Sequence, residues 1–178
     1  MIERNAEDLI TLFDRCFAQS ENTRLIRGDD EPIYLPADNQ LPYHRVVFAH
    51  GFFASAMHEI AHWCVAGPER RLLEDFGYWY KPDGRTADEQ AQFEQVEVKP
   101  QAMEWHFSAA AGHKFVFSAD NLSSAIGASD QFKADVQAQA LQYLEQGLPE
   151  RAQRWSDCLR EFYQTGEACR ADFSLEGR

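Results

Sequence analysis

The sequence predicts an α+β fold, a single compact domain in which helices dominate and the sheet is small. Three observations carry this. Apolar residues recur at helical spacing through several long stretches. Short β-branched or aromatic runs between turn residues are few. The chain has 178 residues, 44% hydrophobic and 13% aromatic, enough for one ordered core without disulfide or metal staples. It shows no repeat, low-complexity tract or linker, so one domain over 1–178 is expected.

The elements follow in order. AEDLITLFDRCFAQ places Leu9, Phe13, Cys16 and Phe17 on one side of an amphipathic helix. TRLIRG and PIYLPA read as short strands separated by the polar GDDE, and HRVVFAH as a buried strand. A helix then runs from about Phe53 to Ala66, with Gly67 as its stop. Pro68 opens a second short helix, PERRLLEDF. GYWY and KPDGR read as a strand and a turn. Thr86 and Glu89 have capping-box spacing and open a long helix to Gly112, in which Pro100 predicts a kink. KFVFSAD reads as a strand. Two final helices, Asp130–Gln146 and Glu150–Gln164, precede Gly147 and Gly166.

The charge of −12 repels phosphate backbones and anionic lipid, which argues against direct nucleic-acid or membrane binding. It attracts cationic substrates or a partner with a basic patch. No apolar run approaches the ~20 residues that span a bilayer. MIERNAEDLI carries neither a basic n-region nor an apolar stretch, so no secretory signal is expected. Cys16, Cys64, Cys158 and Cys169 form no C-x-x-C pair. Reduced thiols and a cytoplasmic location follow as expectations.

The segment FAHGFFASAMHEIAHWCVAG holds three ionisable groups in apolar surroundings: His58, Glu59 and His62. Burying them costs several kcal/mol unless they are paired or bind a metal. They form H-E-x-x-H, and on a helix residues four apart face the same way, which lets two imidazoles grip one ion. The metzincin extension is excluded, because Val65 and Pro68 stand where its glycine and third histidine would be. His44, His50, His106 and His113 offer no clear third ligand. The alternative is a carboxylate from QFEQVEVKPQ: Glu94 or Glu97, with Glu104 further along the stripe. Glu97 is preferred, because Val96 and Val98 flank it and Pro100 loosens the helix beside it. Two histidines and a carboxylate support water activation by zinc, with Glu59 as base. They equally support oxygen chemistry at Fe(II). Spacing alone leaves both open and leans towards hydrolysis.

The segments NTRLIRGDDEPIYLPAD, RVVFAHGFFASAMHEIAHWCVAG, DFGYWYKPDGR and QFEQVEVKPQA closely resemble the bacterial elongation factor P hydroxylase family. The likeness runs almost without gaps from about Asn22 to about Gly112. It continues more weakly through Asp120–Asn121 and the C-terminal helices. The resemblance implies a non-haem Fe(II) and O2-dependent hydroxylase. Its protein substrate would be elongation factor P, on a lysine already extended with β-lysine. It implies His58, His62 and Glu97 as metal ligands and a fold that is not a jelly-roll barrel. Zinc or another divalent ion could occupy such a site in purified protein. The same resemblance gives the charge a use: Asp29, Asp30 and Glu31 could line the approach of a polycationic side chain. Glu59 could orient a ligand or bind the substrate amine, and Phe76–Tyr80 could stack on its stem. No keto-acid anchor is read. A zinc peptidase of the H-E-x-x-H…E type and a non-catalytic metal-stabilised module are the competing readings.

Overall fold

In the computed structural model, residues 3–75, 86–118 and 127–178 are described. They form a helix-dominated α+β domain with a small sheet, and no barrel. GYWY, KPDGR, Phe76–Tyr80 and Asp120–Asn121 lie outside the described residues.

Helix α1 spans Ala6–Phe17, capped by the Asn5 side chain, which accepts from Asp8 N. Its buried stripe is Leu9, Phe13 and Phe17. Strands β1 (Thr23–Arg27), β2 (Ile33–Leu35) and β3 (His44–Phe48) form one sheet. β3 is central, parallel to β1 and antiparallel to β2. Val46 sits opposite Leu25 on one side and Tyr34 on the other.

The turn from β3 into α2 (Phe53–Val65) uses two left-handed residues, His50 at φ 56° and Gly51 at φ 67°. A Cβ at Gly51 would meet the Arg27 guanidinium at 2.4 Å. The positive φ favours glycine there, while the exposed Arg27 tip could swing aside from a Cβ.

Helix α3 runs over Ala87–Ala111, with Thr86 and Glu89 forming the expected capping box. It continues through the buried Pro100 and ends at Gly112, φ 60°. α4 (Asp130–Gln146) and α5 (Glu150–Tyr163) close the chain's helical part.

α3 is the spine between two apolar clusters. Met103, Phe107, Ala110 and Ala111 face α1, α2, α5 and the sheet. Ala102 and Trp105 face Phe115, α4 and Phe173. A helix packed on both sides is buried nearly all round from Pro100 to Ala111. Full burial of a side chain such as Phe107 contributes roughly 1.5–3 kcal/mol.

Five sequence expectations are corrected. α2 is stopped by Ala66 in extended conformation, ψ 125°, and not by Gly67. PERRLLEDF yields only a 3₁₀ turn, Arg70–Leu72. The chain extends at Leu73, and Asp75 exchanges backbone hydrogen bonds with Tyr34, which competes with further helix. α5 is stopped by Gln164 at φ 55°, two residues before Gly166. Residues 114–118 of KFVFSAD form no strand. Phe115 and Phe117 pack instead on Trp105, and Ser118 N donates to the Gln101 side chain. Cys16 and Cys158 are joined across α1 and α5, with Cα atoms 7.4 Å apart, whereas Cys64 and Cys169 are free. No described helix is long and apolar enough to cross a membrane.

Candidate metal centre

α2 presents His58 and His62 on one face, four residues apart, along a helix that is otherwise largely apolar. Ala56, Met57, Ile60, Ala61, Trp63 and Cys64 bury it against the core, and His58 and His62 are drawn in with them. α3 packs alongside and presents Glu97 to the pair.

The geometry is close. His58 Nε2 and His62 Nε2 lie 3.0 Å apart. Glu97 Oε1 is 3.0 Å from His62 Nε2, and Glu97 Oε2 is 3.6 Å from His58 Nε2. Ligand atoms ~2.1 Å from one ion, at usual coordination angles, lie about 3–3.5 Å apart. The three groups fit a divalent ion in spacing, and one carboxylate with two imidazoles suits iron, zinc or manganese. Among the described residues they are the one cluster of three or more such groups.

The electrostatics agree. Burial pushes Glu97 up, but the charges of His62 and His58 outweigh it and hold the carboxyl down at about 2. Burial pulls His58 down, yet Glu97 and Glu104 together raise it well above the ordinary imidazole range. Burial raises Glu104, and His58 opposes the rise. The buried carboxylates thus set up a pocket that favours positive charge, which a bound cation could supply.

Glu97 is 4% exposed while its neighbour Val96 is 38% exposed. The flanking valines are therefore not why Glu97 is buried, since adjacent helical residues point about 100° apart. The reason is the stripe 97–101–104, spaced i, i+4, i+7. Gln101, fully buried, donates from Nε2 to Glu97 Oε2 at 3.2 Å and to Ser118 O at 2.7 Å. Glu104 Oε2 lies 2.8 Å from His58 Nδ1. Sequence reasoning placed Glu104 on this stripe as a rival ligand and missed its contact with the histidine's other face, and it missed Gln101 altogether. Glu94 binds Ser129 N and Oγ, at the start of α4.

Among the described residues, two cavities meet the site. One of about 470 Å³ is lined by His58, Glu59, Glu104, Pro32, Phe117 and their neighbours. A small one of about 30 Å³ is lined by Glu59, His62, Tyr34, Arg70, Arg71 and others. Glu59 borders both. The larger groove between α3 and α4, about 710 Å³, includes Glu94 but none of the three ligands. Asp29, Asp30 and Glu31 are exposed in the β1–β2 turn, immediately before the cavity-lining Pro32. The remaining histidines are engaged elsewhere: His44 accepts from Ala37 N, His106 donates to Ala140 O, His50 lies near Asp30, and His113 packs against the Phe53 ring.

A family profile described as "Elongation factor P hydroxylase" matches residues 12–173. The chain belongs to this family. It is similar to the elongation factor P lysine hydroxylase of Haemophilus influenzae, 54% identical over 164 residues, which cover 92% of each chain. The match runs from within α1 through α5, so the ligands from α2 and α3 and the cavity beside them fall inside it.

Proposed function

We propose that this chain is an Fe(II)- and O2-dependent hydroxylase acting in the cytoplasm. Its substrate is a lysine side chain of elongation factor P that already carries β-lysine. Residues 1–178 act as one domain. The observation that carries the reading is the His58–His62–Glu97 cluster beside an open cavity, in a member of this family.

His58, His62 and Glu97 would hold the ion. The chemistry that iron supplies at such a site is activation of O2, because three protein ligands leave further positions open. The overall reaction inserts one oxygen atom into a substrate C–H bond. The other oxygen leaves as water, with two electrons and two protons from an external two-electron reductant. The protein's own residues do the rest. Glu59 borders the cavity and supplies negative charge for a substrate ammonium. Asp29, Asp30 and Glu31 draw the extended lysine to the rim through long-range attraction, which their exposure limits to a modest contribution. Ala54, Val116 and Phe117 provide apolar walls for the methylene stem.

Metal exchange tests the proposal. Protein stripped of metal should regain hydroxylation of β-lysylated elongation factor P with Fe(II) in air, and not with Zn(II). Zinc-dependent cleavage of peptides, with no oxygen incorporation under iron, would overturn it in favour of the peptidase reading. Full folding loss on metal removal with no turnover under any metal would favour a non-catalytic module.

A further inference from the structure

An imidazole has two nitrogens, and a metal site must decide which one faces the ion. In His58 the geometry separates them. Nε2 faces His62 Nε2 at 3.0 Å and Glu97 Oε2 at 3.6 Å. Nδ1 faces Glu104 Oε2 at 2.8 Å, away from that group. We infer that Glu104 is a positioning residue, which holds His58 in the tautomer that leaves Nε2 free for the metal.

The chemistry is direct. A carboxylate has no proton to give, so at 2.8 Å the Nδ1–H donates and Glu104 accepts. A neutral imidazole has one N–H, so Nε2 then carries the lone pair. The hydrogen bond also fixes the ring's rotation. Glu104 is 6% exposed, and a carboxylate buried that deeply needs a partner. His58 is that partner and the ring sits between Glu104 and Glu97, so Glu104 reaches the ring from the side opposite the ligand group. The same face of α3 treats Glu97 alike. Gln101 Nε2 holds Glu97 Oε2, while Gln101 Oε1 accepts from Ser118 N at 3.1 Å and anchors the amide. Positions 97, 101 and 104 therefore read as one ligand and two orienting groups on one helical stripe.

The inference rests on the three-residue metal site proposed above, and the test separates the two. Co(II) serves as the probe ion, titrated by its visible absorption into the metal-free full chain. Histidine tautomers are read by 15N NMR of the imidazoles in the metal-free protein, at a pH where the rings are neutral, because a metal on Nε2 would itself force the proton onto Nδ1. Glu104→Ala should bind Co(II) about 10–100-fold more weakly, with far-ultraviolet dichroism retained and the His58 Nδ1–H signature lost. Glu104→Gln keeps an acceptor oxygen, so it should hold the tautomer and lose less than about 10-fold. Wild-type affinity and an unchanged His58 tautomer in Glu104→Ala would overturn this inference while leaving the metal site intact. Failure of wild type to bind Co(II) would overturn the metal site, and this inference with it. If Glu104→Ala does not fold, Glu104→Gln decides: a tautomer change, or loss as severe as in Glu97→Ala, would show that Glu104 is not an orienting acceptor.

Discussion

Glu94, Glu97 and Glu104 share one helix, and what each touches separates them. Glu97 reaches both Nε2 atoms, Glu104 reaches the far side of His58, and Glu94 is spent on Ser129 at the start of α4. Glu97→Ala should therefore lose metal affinity and hydroxylation together and keep its fold, because a core of this size does not depend on one ion. Glu94→Ala should bind metal as wild type does. Metal titration of the two variants checks this, and the reverse pattern would show the wrong carboxylate assigned. Glu59 is the harder residue, since it borders both cavities and H-E-x-x-H hydrolases use that position as a base. Under oxygen chemistry no such base is required. Glu59→Gln should keep its metal and measurable hydroxylation, reduced about 10–100-fold if the carboxylate orients a ligand or substrate. Peptidase activity in wild type that disappears in Glu59→Gln would contradict this. The pairing of His58 with His62 was legible in the sequence because i, i+4 spacing on one helix is local, whereas Glu97, on α3, was picked out for flanking valines that do not explain its burial. The roles of Glu104 and Gln101 were not legible, since they depend on how α3 is rotated against α2 and on Ser118.

At the scale of elements, most helices were readable because caps and periodicity act within a few residues. Thr86 and Glu89 announce α3, and α4 matches its expected bounds, Asp130 to Gln146. The failures came where tertiary contacts compete. Residues 114–118 have strand-like alternation, but their aromatic rings are claimed by Trp105 and their backbone by Gln101. PERRLLEDF has a helical start, but Asp75 is claimed by Tyr34. The joint between α3 and α4 carries a pH-dependent element. Burial lowers the pKa of His106 below the ordinary 6.5, although its bond to Ala140 O partly opposes the shift and Arg160 adds to it. The folded state thus resists protonation that the unfolded chain accepts. Stability is fully present above about 6.5 and falls as pH drops through that value towards the lower folded one. His106→Gln removes this titration. Denaturant unfolding at pH ~7.5 and ~5 should show a smaller acid loss in the variant than in wild type. Equal losses would mean that His106 contributes nothing to the acid sensitivity.

For the whole molecule, charge and family likeness point the same way. A chain with charge −12 and an exposed acidic turn beside the cavity suits a substrate carrying closely spaced ammonium groups. Reversing Asp29 and Asp30 to Lys together should weaken binding of β-lysylated elongation factor P about 3–10-fold, in keeping with exposed charges. Wild-type binding should fall as salt rises. Salt-independent binding, unchanged in the double variant, would remove the electrostatic argument. The fold class was legible from composition and periodicity, but the disulfide joining α1 to α5 was not, because 142 residues separate its cysteines. The central claim is that this chain adds oxygen to an extended lysine. Its most direct test is the intact mass of elongation factor P after incubation with the Fe(II)-loaded protein in air with ascorbate. The β-lysylated factor should gain the mass of one oxygen atom, localised to the extended lysine, and should gain nothing without O2 or with the Glu97→Ala variant. No mass gain on the lysylated factor, or an equal gain with Glu97→Ala, would contradict the account.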